Sequence, residues 1–168
     1  MTAPSISAPD LVRPLIGFRQ WRLYDGVLHS MWTDDPWGDG IMQARCHTSF
    51  AHGVGPSDVP DPECTCGVYA WHRPVPLGAS ATRDLVAGAV ALWGVIEIHA
   101  LGMRAQFARI VTLALPVTRA RKRLELAIVA GEMGLDLVPH RHLLAAAMAH
   151  GTPVPPTLRQ SRSVEHRR

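Results

Sequence analysis

Cys46, Cys64 and Cys66 fall within 21 residues of one another, with His47 and His52 between them. Thiolates and imidazoles are the side chains zinc prefers, four of them arranged as a tetrahedron. The candidate set is Cys46, His52, Cys64 and Cys66, with His47 or His72 as substitutes for His52. A C-x-C pair can place two sulfurs on one ion, although structural sites more often space the pair by two to four residues. Gly67, directly after Cys66, lets the backbone turn tightly around an ion. The competing reading is three reduced thiols acting as small buried hydrophobes. Loop length tilts the balance toward a metal. Residues 46–66 are a Pro/Gly/Cys/His stretch, and ordering about 20 such residues costs roughly 1–2 kcal/mol each. Such a loop needs a staple or close packing to hold it.

Other chemistry has less to rest on. The chain has no G-x-S-x-G elbow, Walker loop, H-E-x-x-H or Gly-rich dinucleotide fingerprint. Glu97 and His99 fall on one face of a strand, as an acid/base pair would, or as two residues of a solvated face. A redox role would more usually take C-x-x-C than C-x-C. Asp34-Asp35 beside Pro36 reads as a turn. Of the five tryptophans, Trp32 and Trp37 sit in a loop and are the pair best placed to stack on a partner, whereas Trp21, Trp71 and Trp93 read as core.

Charge is uneven along the chain. Residues 1–115 carry 8 Lys/Arg against 10 Asp/Glu, and residues 116–168 carry 9 against 4. Arg119, Arg121, Lys122, Arg123 and Arg141 are the candidate nucleic-acid contacts, set against a plain solvated helix face. Residues 126–148 also admit a helix-turn-helix, with Arg141 near the front of the second helix.

The elements that must position these residues are strands first and helices after. Residues 1–16 read as a flexible arm. Asp25-Gly26 supplies the positive φ angles of a type I′ turn, so residues 17–30 predict a β-hairpin. Residues 31–40 predict no regular element. Strands follow near 67–71, across 85–99 as two strands with a bulge or sharp bend between them at Gly94, and over 104–113. Residues 118–133 place Leu124, Ile128 and Val129 on one face of a helix that stops at Gly134, and residues 140–150 make a second helix ended by Gly151. The expectation is an α+β domain: a small bent antiparallel sheet or barrel over 17–115, a helical hairpin packed on it over 116–151, and a basic extended tail over 152–168.

Three segments, GFRQWRL (17–23), CTCGVYAW (64–71) and VALWGVIEIHALGMRAQFA (90–108), carry a resemblance. Together they resemble a family of small uncharacterised actinobacterial and actinophage proteins with a lone cysteine followed by a C-x-C-G-[IV]-Y-A signature. The resemblance covers residues 17–115 and reaches GTPVPPTLR at 151–159. It implies the three-cysteine arrangement but no activity. The family pattern has a histidine seven residues before the C-x-C pair; here that residue is Ser57, so His52 must take its place or the metal is absent. Residues 86–113 also loosely resemble the strand pattern of RNA-binding PUA-like barrels, a likeness of fold that does not carry function.

The remaining composition sets bounds. With 168 residues, 47% hydrophobic and 18% charged, the chain is globular. Its longest uncharged apolar run, residues 85–96, is shorter than the ~20 residues that span a bilayer. The first ten residues lack the basic-then-apolar pattern of an export signal, so a cytoplasmic protein with no membrane partner is expected. The functional expectation is a non-enzymatic binding or regulatory module for nucleic acid with a zinc-stabilised loop. The alternatives are a protein–protein adaptor using the helical hairpin or the Trp32/Trp37 loop, and thirdly a metal-dependent enzyme.

Overall fold

The computed structural model describes residues 13–46, 59–61, 64–76, 85–115 and 120–159, with the backbone of 5–6. The Asp25-Gly26 turn closes the expected hairpin between β2 (Leu15–Tyr24) and β3 (Val27–Ser30), with Tyr24 opposite Val27 and φ positive at both turn residues. β2 begins at Leu15, and β1 (Ser5–Ile6) pairs with the far end of β6 (Leu85–Ile98), so strand structure starts within the stretch read as an arm. Residues 31–40 hold turns and a single bridge between His29 and Pro36.

β6 and β7 (Gly102–Leu115) form a long hairpin that carries the sheet. Residues 85–98 remain one strand. At Gly94 the backbone takes φ 81° and the register slips between Trp93 and Ile96, the bulge that a residue without Cβ makes possible. β2 lies on the other edge of β6, and β5 (Val68–Trp71) and β4 (Ile41–Gln43) on the other edge of β7. A single register pair, Phe18 with Trp71, joins β2 to β5 and brings the sheet round into a ring of four strands.

Successive residues of β2 point to opposite faces and divide the core. Leu15, Trp21 and Leu23 enter the larger cluster with Leu28, Trp37, Ile96 and Ile110, whereas Ile16 and Phe18 enter a second cluster with Ala89, Ala91 and Val111. Trp37 is fully buried, edge-on to Trp21 at 5.5 Å, while Trp32 is 94% exposed. The loop pair expected to act together is therefore split between core and surface.

The helical hairpin does not form as expected. Helix α1 (Ala120–Glu132) packs Leu126, Val129 and Ala130 into the larger cluster. Helix α2 (Leu143–Met148), six residues behind a 3-10 turn at His140–His142, packs Leu143 and Ala147 into the second. The two helices cover opposite faces of the sheet, because β8 (Leu137–Pro139) runs between them as a parallel partner of β7. The inward face of α1 also differs: Leu124 and Ile128 are 65% and 55% exposed. Both apolar sets satisfy a 3.6-residue period, and the one that meets Trp21 and Ile110 is buried. α1 ends at Gly134 as expected, with φ 64° and the Leu135 amide donating to the Ala130 carbonyl. The chain past Gly151 is not simply a tail. β9 (Thr152–Pro153) pairs in parallel with the start of β2, and Val154 is buried. No described helix is long and apolar enough to cross a membrane.

Candidate metal centre

β4 and β5 are short, and both pair with the edge of β7 that β6 leaves open. Gln43 stands opposite Phe107, the Ala44 amide donates to the Gln106 carbonyl, and Val68 stands opposite Ala105. The end of β4 therefore abuts the start of β5. Cys46 leaves the first strand at this junction and Cys64 and Cys66 enter the second, so residues eighteen and twenty apart in sequence meet.

The sulfur geometry is specific. Cys46 Sγ lies 3.5 Å from Cys64 Sγ and 3.9 Å from Cys66 Sγ, and all three sulfurs fall within 4.8 Å of one another. A disulfide would need about 2.05 Å. Four ligands at the ~2.3 Å zinc–sulfur distance of a tetrahedron stand about 3.8 Å apart, so the observed separations suit three corners of one ion's shell. The Cys66 amide donates to Cys64 Sγ at 3.2 Å. Three close cysteines can hold a metal ion here.

One side chain bonds the loop that carries the pair at three carbonyls, and the Tyr69 hydroxyl donates to a fourth, that of Thr65. Arg104, on β7, donates Nη1 to the carbonyl oxygens of Cys64 and Cys66, the latter at 3.0 Å, and Nη2 to that of Asp61 at 2.8 Å. Its Nε donates to Glu97 Oε2 on β6 at 2.5 Å. Burial alone would lower the Arg104 pKa, but the Glu97 carboxylate outweighs it and leaves the group raised. Gly67 is required beside this cation. Its φ is 149°, and a Cβ there would come within 3.0 Å of Arg104 Cβ.

Of the expected ligands, Cys46, Cys64 and Cys66 come together, while His52 and its substitute His47 lie outside the described residues. His72, the other substitute, is corrected. It follows the far end of β5, away from the sulfurs, and its Nε2 meets the His99 carbonyl at 2.7 Å. Burial pushes its pKa down, with the His99 hydrogen bond acting the other way. Glu97, expected on a solvated strand face or as an acid/base partner of His99, is buried on Arg104, with His99 Nε2 at 3.6 Å. Sequence reasoning missed Arg104, although a charged residue facing Glu97 across two apolar strands was a signal for it.

The expected nucleic-acid contacts are dispersed. Arg121 and Arg123 are exposed on α1 and Arg141 is exposed in the turn leading into α2, on the other face of the sheet. Lys122 turns inward, with Nζ 2.9 Å from the Leu23 carbonyl and 3.1 Å from Glu125. Arg119 lies outside the described residues. Comparison with protein-family models, curated proteins and solved structures gave no match.

Proposed function

We propose that this chain is a non-enzymatic binding module whose cysteine-bearing loop is stapled by one zinc ion, with Cys46, Cys64 and Cys66 as ligands and His52 as the fourth. The supporting observation is the sulfur triangle, whose edges of 3.5 and 3.9 Å suit a tetrahedral shell. A structural ion fits the setting, because the ligands join two strand ends that the chain connects only through a long loop. Nucleic acid is the first partner class proposed, on the cation excess after residue 115 and the exposed Arg121, Arg123 and Arg141. A protein partner is the second, favoured by Leu124 and Ile128, exposed on the outward side of the same helix.

Elemental analysis of purified protein should find about one zinc per chain, and cobalt in its place should show the absorption of a tetrahedral thiolate site. Metal content unchanged in a Cys64→Ser, Cys66→Ser double variant would remove the zinc reading. For the partner, gel-shift titration with duplex DNA, single-stranded DNA and RNA at two salt concentrations should show binding that weakens steeply with salt. No shift with any of them would leave the protein partner.

A further inference from the structure

Beside the sulfur triangle lies a cavity of about 620 Å³, lined by Cys66 and Tyr69 and by Ser30, Trp32, Thr33 and Asp35. Arg19 lines it from the middle of β2, on the side that sends Leu15, Trp21 and Leu23 into the larger core cluster. The guanidinium lies 4.8 Å from the ring centroid of Trp37 and 5.5 Å from that of Trp21. Among the described residues it makes one hydrogen bond, Nη1 to the Tyr69 carbonyl at 3.2 Å, and no salt bridge. Its Nε is buried without a partner. Burial lowers its pKa to about 10 against the pull of Asp35.

Arg19 is half-buried, spends one of its five N–H donors on the protein and presents the guanidinium between two indole rings. The open donors border a cavity large enough for a small molecule. Trp32 stands at the same cavity with its ring in solvent, and Ile41, Met42 and Val68 supply apolar wall. Asp35 also lines the cavity, its Oδ2 2.5 Å from Thr33 Oγ1, and its negative charge disfavours a multiply charged guest.

We propose that this cavity binds a small aromatic carboxylate, with the carboxylate on the Arg19 guanidinium and the ring against Trp32. A planar fork of N–H donors matches a carboxylate two bonds at a time, and an exposed indole offers a face for the ring. Cys66 lines the cavity but is not one of the groups proposed to hold the ligand, so the contacts on Arg19 and Trp32 do not require zinc on the sulfurs.

Calorimetric titration of the metal-loaded and chelator-treated full chain should use indole-3-carboxylate, indole, inorganic phosphate and adenosine 5′-monophosphate as probes. Indole-3-carboxylate should saturate at one site in both preparations, with indole and phosphate each far weaker. Arg19→Gln should lower the affinity about 10–100-fold, the loss expected for a charge-assisted pair. Because Arg19 contacts two buried indoles, Trp32→Ala supplies a second variant at a solvent-exposed position, expected to lose about three- to tenfold. No saturable binding of the carboxylate, affinity unchanged from the parent in both variants, or tighter binding of the nucleotide would each overturn the proposal.

Discussion

Glu97 and Arg104 face each other across β6 and β7, carboxylate to guanidinium at 2.5 Å, with each side chain 7% exposed. The pair is the point through which the sheet holds the cysteine loop, since the same guanidinium takes three of that loop's carbonyls. Removing one partner of a buried ion pair leaves an uncompensated charge and costs about 3–5 kcal/mol. Urea unfolding of Glu97→Gln and Arg104→Met should show losses of that order. The double variant should be less unstable than the sum of the two. Additive losses would mean the two groups act independently. Arg104→Met should also weaken metal binding about 10–100-fold through its hold on the ligand loop, which competition with a chromogenic chelator measures.

Metal removal should lower thermal stability without dissolving the sheet. Cys46 and Cys66 pack against the core of Trp21, Trp37, Ile96 and Ile110 but are not among its fully buried members, so far-ultraviolet circular dichroism should keep its strand signal while the melting midpoint falls. A midpoint unmoved by chelation would show that the loop holds by packing alone.

His72 makes acid unfavourable to the fold. Its Nε2 is engaged by the His99 carbonyl and its Nδ1 is buried without a partner, so protonation would bury a charge and an unmet donor. The folded-state pKa is lowered from its ordinary value near 6.5. The unfolded chain therefore binds more protons, and this contribution is whole above about pH 6.5 and lost as the pH falls toward the folded value. His72→Gln keeps a donor for the carbonyl but does not titrate. The fall in melting temperature between pH 7.5 and 5.5 should be smaller in this variant than in the parent. An equal fall would exclude His72 as a source of the acid sensitivity.

The segment after Gly151 contributes to the fold. Thr152 and Pro153 pair with Leu15 and Ile16, Val154 is buried, and Arg159 Nη2 donates to the Val154 carbonyl. Burial of a valine side chain is worth about 1.5–3 kcal/mol, which is several degrees of melting temperature for a chain of this size. A chain ending at Gly151 should melt at least that far below one ending at Arg159. Identical midpoints would mean that β9 contributes nothing.

What was legible in the sequence is what local chemistry decides. Asp25-Gly26 specifies its turn without help from the rest of the chain, Gly94 marks the bulge and Gly134 the end of α1. The cysteine cluster was legible by residue type and spacing. The inward face of α1 was not, because Leu124, Leu126, Ile128 and Val129 put apolar side chains on both sides, and only the sheet beneath chooses between them. Arg104 escaped for a similar reason. Its role depends on Glu97, which β6 places opposite it, and on carbonyls 38 to 43 residues away.

β4 and β5 amount to one strand beside β7 cut in two, and the three sulfurs meet at the cut between Ala44 and Val68. A cut of that kind ordinarily lets each piece fray on its own, because the first and last hydrogen bonds of a short strand open most readily. An ion across the cut would act as a splice. The amide of Ala44, bonded to the Gln106 carbonyl, and those of β5 would then exchange with solvent in a single opening event, and without the ion they would exchange separately. The cysteines would in this way set the cooperativity of a split strand whose hydrogen bonds they do not themselves make.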